Sequence, residues 1–396
     1  MAASSAPADS CPVSLTPRHS TDHHTPSSSL RDSSMSAGSS EAPWMSTRTK
    51  EMRHPIERFD AELCDFVEWI RPSIDDHKAR LTVVKGFESV VQSIWPASKV
   101  EVFGSLATGL YLPDGDLDVV VSLPSMPRIS TRGILVDIAR ASASRGLADV
   151  HTVEIVDSAK VPLLRFSTLP GGDSLISFKL DVSLEHARDG PLGAAACLSI
   201  LDGLDPEGKS NKRDRAKGLV FVIKTLLGAH DLATSRGGGL GGMSIFCLVV
   251  SFIQHDTRSE ETCSPTTDLL AFLDFAACFD YERFCISVVG QGSIQPKSTQ
   301  RWTDASKRRR VCIQHPTDLN RNLACGAYKI DELKAAFGQA YEVVTALFET
   351  QTKDHPTEEG HSYLVRLFSA EHGVEVDNNV GGHASKPHES FPIELL

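Results

Sequence analysis

Val102-Phe-Gly-Ser-Leu-Ala-Thr-Gly-Leu-Tyr-Leu-Pro-Asp-Gly-Asp-Leu-Asp-Val-Val-Val121 is the stretch on which the fold turns. Val100 and Val102 alternate as in a strand and lead into Gly104-Ser105, a pair that opens a turn. Pro113-Asp114-Gly115 is a second turn, and Leu117 to Val121 is a dense β-branched run. Alternate side chains of a strand share a face. Asp116 and Asp118 therefore project together, while Leu117, Val119 and Val121 face the core. Two carboxylates so placed repel each other, and a strand that sets them side by side does so for a cation. Glycine lets backbone N–H groups close on a phosphate, and the Ser105 hydroxyl adds a donor.

A later run repeats the alternation. Phe178, Leu180, Val182 and Leu184 point inward, and Lys179, Asp181 and Ser183 outward. If the two strands are neighbours, Asp181 joins the pair. Three carboxylates with open positions suit Mg²⁺, which keeps water and substrate phosphate as its other ligands. D-x-D alone is common on solvated strand faces, and Gly-Ser alone is an ordinary turn. Their ordered combination with a third aspartate has the layout of two-metal nucleotidyl transfer.

Helical periodicity flanks this unit. Phe59, Leu63, Phe66 and Ile70 predict an amphipathic helix that Pro72 ends; Leu81, Val84, Phe87, Val91 and Ile94 predict a second, stopped by Pro96. Residues 131–146 read as a short helix. Val161 to Phe166 reads as a strand, which Pro162 places at a sheet edge. Leu219 to Leu227 and Ile245 to Ile253 are apolar enough for core helices, and Leu333, Phe337, Tyr341, Val344 and Phe348 mark a last amphipathic one. The expected class is α+β and bilobed. A mixed-sheet catalytic domain over 97–189 interrupts a helical domain made of 53–96 and 190–352. Residues 1–52, about half Ser, Thr and Pro at their densest, are expected to be a disordered tail, and 353–396 a helix remnant with a loose tail.

Composition narrows the class further. The 396 residues carry a formal charge of −11, which argues against a protein that coats nucleic acid by bulk charge. Nine cysteines contain no C-x-x-C pair, so neither a disulfide framework nor a zinc knuckle is expected. No apolar run is long enough for a membrane span, and no secretory signal is visible, so a soluble intracellular protein is expected. Lys307-Arg-Arg-Arg310 is the only dense basic cluster, a candidate nuclear-import signal or RNA-backbone contact, and equally a solvated loop.

The order G-S-x-x-T-G-L-x-L-P-x-x-D-x-D followed by D-V-S resembles the DNA polymerase β-like nucleotidyltransferase superfamily. Within it the chain is most similar to the Trf/Cid-type nuclear poly(A) polymerases, the catalytic subunits of TRAMP complexes. The likeness runs from about Pro55 to Thr350. It includes Asp65-Phe-Val-Glu-Trp-Ile-Arg-Pro-Ser, Ala159-Lys-Val-Pro-Leu-Leu-Arg-Phe, Gly238-Gly-Leu-Gly-Gly-Met-Ser-Ile-Phe and Ile313-Gln-His-Pro-Thr-Asp-Leu-Asn-Arg-Asn.

The resemblance implies a polymerase β-like domain with a helical central domain, and ATP bound between them. Asp116 and Asp118 would hold metal, with Asp181 as third ligand and base. Gly104, Ser105, Lys224 and Ser244 would hold the triphosphate; Asp318 and Asn322 would fall in the loop that reads the adenine edge. Met243 stands where relatives often carry an aromatic platform, and Cys325 where many have a polar residue; both departures bear on base preference.

Mg²⁺, with Mn²⁺ as an alternative, would be the cofactor, and the products short oligo(A) tails that mark RNA for exosome trimming. RNA 3′ ends, a zinc-knuckle RNA-binding protein and an RNA helicase would be the partners, and the nucleus, nucleolus included, the location. Terminal uridylyl transfer by the same site is the alternative, with Asn322 and the distance of His315 along the loop favouring ATP. A nucleotidyltransferase-shaped scaffold is the rival of a different class.

Overall fold

The computed structural model describes residues 42–123, 129–156, 161–170, 176–184, 189–303, 308–351 and 361–369. The chain opens with α1 (Thr47–Glu51), α2 (Pro55–Ile70) and α3 (Ile74–Gln92). Pro55 occupies the first helical position of α2, where its missing N–H is no loss. Ser73 caps α3, exchanging hydrogen bonds with Asp76 as a capping box. Then come β1 (Lys99–Val102), α4 (Gly104–Thr108), β2 (Leu117–Ser122), α5 (Thr131–Ser144), β3 (Glu154–Val156), β4 (Leu163–Ser167) and β5 (Lys179–Leu184). The chain continues through α6 (Asp189–Leu204), α7 (Lys212–Ala229), α8 (Gly242–His255), α9 (Pro265–Cys278), the β6 (Phe284–Ser287) and β7 (Ser293–Pro296) hairpin, α10 (Ile330–Gln351) and α11 (Tyr363–Phe368).

The five-stranded sheet has the order β1-β2-β5-β4-β3. β2 and β5 run parallel, and their neighbours pair antiparallel. Pro162 does not put β4 at an edge. It lies one residue before the strand, so no ladder bond is lost, and the three-residue β3 covers β4's far side. So short a strand has too few positions to show alternation.

Two hydrophobic cores form. One gathers the sheet with α3 and α5, through Val84, Phe87, Val119, Ile134 and Val182. The other gathers α2 with α7 to α11, through Phe59, Phe66, Ile223, Phe272 and Phe337. The expected assignment of 53–96 to the helical domain is thus corrected: α2 belongs there, but α3 joins the sheet lobe, and the division falls near Pro72. Gly104–Thr108, expected as a turn, is one short helix closed by Gly109 in the left-handed region.

Both ends of the described chain are better packed than composition suggests. Of the stretch expected to be tail, residues 42–52 are ordered: Ala42, Trp44 and Met45 are buried in the helical core. The Trp44 ring meets Phe66 edge-on at 5.2 Å. From the other end Leu364 and Leu367 enter the same core, and the Phe368 ring lies 5.2 Å from that Phe66 ring. Buried Glu62 joins the two ends. It accepts from Trp44 Nε1 at 3.3 Å, from the Tyr363 and Leu364 N–H groups at 2.9 and 3.1 Å, and from the Ser362 hydroxyl. Residues 1–41, 352–360 and 370–396 lie outside the described residues.

Candidate active site

The parallel register of β2 and β5 sets Asp118 directly beside Asp181. Leu117, Val119 and Val121 are fully buried beneath, so the strand period alone turns Asp118 to the opposite face. Asp116 precedes β2 by one residue and shares that face. Gly104 closes over them with φ 62°, and a Cβ there would stand 2.2 Å from Asp118 Oδ2. Glycine is required at 104 on both counts.

Compensation of these charges is uneven. Arg165, opposite Asp181 on β4, grips it with a two-bond fork, Nε to Oδ1 at 2.7 Å and Nη2 to Oδ2 at 2.5 Å. The Asp116 and Asp118 carboxylates take no hydrogen bond or salt bridge from the described residues. Burial first, then the neighbouring Asp181 and Asp116 charges, push the Asp118 carboxyl up to about 7. Asp116 is raised by the same causes, burial and then Asp181. Oxygen ligands crowded together without a direct ion pair, with Lys224, Lys179 and Arg165 acting only at longer range, fit a hard divalent cation. Such an ion, when bound, would be held by Asp116, Asp118 and Asp181.

These residues line one wall of a cavity of about 970 Å³ between the lobes. On the facing wall α7 presents Val220, Lys224 and Gly228, four residues apart on one helical face, and α8 contributes Gly242 and Met243. Lys224 reaches across to donate to the Leu110 carbonyl at 2.5 Å, leaving its ammonium near the Asp118 carboxyl. Burial lowers it to about 8, with Asp118 opposing. Gly242 makes room for it: a Cβ there would lie 3.4 Å from Lys224 Cε.

A family model described as the poly(A) RNA polymerase, mitochondrial-like, central palm domain matches residues 59–187, and one described as Cid1 family poly A polymerase matches residues 268–321. A Saccharomyces cerevisiae protein named poly(A) RNA polymerase protein 1 is 30% identical over 340 residues, covering 83% of this chain and 50% of that protein. The solved polymerase core of TRAMP, an RNA surveillance complex, matches with a TM-score of 0.68 at 27% identity, over 81% of this chain and 96% of that one. The chain belongs to the Trf/Cid-type nucleotidyltransferases. A Drosophila melanogaster relative, 28% identical over 74% of this chain and 69% of its own, is named as an inactive poly(A) RNA polymerase. The chain thus spans half the length of the yeast relative and about two thirds of the fly one.

In this Trf/Cid-type chain, seven of the ten expected site residues meet at the cavity: Gly104, Ser105, Asp116, Asp118, Asp181, Lys224 and Met243. Ser244, Asp318 and Asn322 are not brought onto its wall. Ser244 is buried in α8. The Asn322 amide is engaged within its own loop, accepting from the Ile313 and Ala324 N–H groups at 3.1 and 2.9 Å and donating to the Val311 carbonyl at 3.0 Å. An amide so occupied shapes the loop rather than reading a base edge. From the same loop it is His315 that reaches the wall, and its Nδ1 accepts from the Thr317 and Asp318 N–H groups at 3.3 Å, which leaves the ring proton on Nε2.

Sequence periodicity also passes over Arg80. On α3 it is buried between the Tyr111 and Phe178 rings, 4.4 and 5.1 Å from their centroids. It donates to the Pro113 and Gly115 carbonyls at 2.5 and 2.7 Å and so fixes the turn that delivers Asp116. One arginine on an amphipathic helix gives no signal of this; the contact exists only once α3 packs on the sheet. Of the basic cluster, Lys307 lies outside the described residues. Arg309 pairs with Asp331 at 2.5 Å and Glu282 at 3.4 Å, and Arg310 donates to the Cys325 carbonyl.

A second acidic group, Asp256, Cys263 and Asp268, is close enough to hold an ion. Arg215 and Arg258 already occupy both carboxylates. Two cations against two anions leave no charge for a metal to answer.

Proposed function

We propose that the chain is a template-independent RNA 3′-adenylyltransferase, transferring AMP from ATP to an RNA 3′-hydroxyl. The single observation that carries it is the Asp116–Asp118 pair, without a direct ion-pair partner, beside Asp181 and facing Lys224 across the cavity. The names of its relatives support adenylate as the unit added. The RNA oxygen attacks the α-phosphorus in line, a new O–P bond forms, and the bond to the bridging oxygen breaks to release pyrophosphate. Divalent metal, Mg²⁺ or Mn²⁺, supplies charge stabilisation at the phosphates when bound. Asp181, aimed by the Arg165 fork, takes the hydroxyl proton. Gly104 and Ser105 bind the triphosphate, and the Lys224 ammonium faces the charge that grows on the leaving group.

RNA affinity is borrowed, which the net charge of −11 and the chain's own pairing of Arg309 support. A zinc-knuckle protein and a helicase of a TRAMP-like assembly are the proposed lenders, in the nucleus. Among the described residues no helix is long and apolar enough to cross a membrane.

One observation favours uridylyl transfer as a second reading. His315, not Asn322, sits on the cavity wall, so the loop no longer argues for ATP as its sequence order does. Extension of a labelled oligoadenylate with each nucleotide separately, with and without a zinc-knuckle partner, decides between them. Extension by ATP alone supports the proposal, UTP preference replaces the base, and silence with partner present removes the enzyme.

A further inference from the structure

We propose that Arg236 grips the terminal phosphates of the incoming nucleoside triphosphate and lets them go as pyrophosphate. This rests on the nucleotidyl-transfer reading above. Along the cavity face of α7, Gly228 follows Lys224 by one turn, about 6 Å. A Cβ at 228 would meet nothing within 4 Å, so the space above it is open. Thr234, Ser235 and Arg236, on the loop that follows α7, line the same cavity. A triphosphate whose α-phosphate lies at the carboxylates and passes Lys224 would point its tail toward that loop. The loop begins at the carbonyl end of α7, where the helix dipole repels anions, so a phosphate there needs a cation.

The loop carrying Arg236 is held on several sides. The N–H groups of Gly239 and Leu240 donate to the Thr234 and Leu232 carbonyls at 3.0 and 2.8 Å. A Cβ at Gly239 would stand 2.1 Å from the Leu232 carbonyl oxygen. Gly238 has φ 88°, and a Cβ there would lie 2.6 Å from the Tyr328 ring. A Cβ at Gly326, in the facing loop, would come to 3.0 Å from the Ser235 carbonyl oxygen. Such close backbone approach fixes the base from which the arginine projects.

The guanidinium itself is uncommitted. Arg165 is forked onto Asp181 and Lys224 is bonded to Leu110, whereas Arg236 makes no side-chain hydrogen bond or salt bridge to the described residues. A planar fork with five donors matches phosphate oxygens.

Calorimetric titration of the full chain with ATP and with AMP, in Mg²⁺ and without RNA, tests this. Arg236→Ala should weaken ATP about tenfold and leave AMP unchanged, with Arg236→Lys recovering part of the loss. In extension assays the KM for ATP should rise to match while kcat and the KM for RNA hold. Unchanged ATP affinity overturns the assignment, as does a loss confined to RNA affinity, which would make Arg236 a phosphodiester contact. A wild-type chain that binds ATP but extends no RNA even with a zinc-knuckle partner present defeats the transferase reading alone, and calorimetry still decides Arg236.

Discussion

Two acidic clusters answer the same electrostatic problem in opposite ways. At the junction of α8 and α9, buried Asp256 and Asp268 share Arg215 and Arg258. Burial alone would raise the Asp256 carboxyl, but bonds from Arg258 and Arg215 outweigh it and hold it down at about 2. In the cavity the one arginine fork engages Asp181 alone, Lys224 and Lys179 act on the other two carboxylates only at a distance, and Asp118 is pushed up to about 7. A fold that pairs one buried group so fully has left two carboxylates of the other without a direct partner. The shortage marks where something from outside binds; the balanced cluster only holds helices together.

Removing a carboxylate should therefore do opposite things in the two places. Asp118→Ala should cut RNA extension by about a thousandfold or more, since several kcal/mol of transition-state stabilisation depend on the metal it holds. Without metal its melting temperature should stay level or rise, and the stabilisation that Mg²⁺ gives the wild type should vanish. Extension within tenfold of wild type would break the contrast. Asp268→Ala should instead lower stability by about 3–5 kcal/mol, leaving Arg215 and Arg258 under-paired, with activity per folded molecule retained. Chemical denaturation beside a titrated extension assay separates the two quantities.

Acid sharpens the same difference. A carboxyl held down in the folded state adds stability that is present above its unfolded value and lost as pH falls through the folded one. For Asp256 the loss should run from about pH 4 down to about 2. Denaturation midpoints of Asp256→Asn should be flatter across that window than those of the wild type; parallel curves would deny the cluster its role.

Smaller effects probe how the uncompensated site is aimed. Arg80→Met should lower kcat by about ten- to a hundredfold and raise the Mg²⁺ concentration needed, because the Pro113–Gly115 turn loses its anchor. A fall in melting temperature with kcat and metal demand unmoved would make Arg80 a core residue only. Met243→Tyr should tighten ATP by about two- to tenfold by restoring a flat stacking face. No change in nucleotide affinity would put the base elsewhere in the cavity.

How far these features were legible in sequence follows their range of interaction. Asp116, Asp118 and Asp181 announce themselves because the strand period is local and a carboxylate on every second residue is conspicuous. The helices around Phe59, Phe87, Ile223 and Phe337 are legible for the same reason. Trp44 was hidden by its Ser- and Pro-rich neighbours, although one indole and a Glu62 bond suffice to seat the segment. α3 looks like a partner of α2 until its apolar face meets the sheet. In the loop at 313–325, His315 lines the cavity and Asn322 does not, because side-chain bonds to backbone, which no spacing rule records, decide which of them faces inward.

The bond set around Glu62 makes the described body almost a ring. Trp44 and Phe368 touch the same Phe66 ring, so the chain leaves its helical lobe close to where it entered. Joining residue 42 to residue 369 with a short linker and opening the chain at an exposed loop far from the cavity should give a circular permutant with the same two lobes.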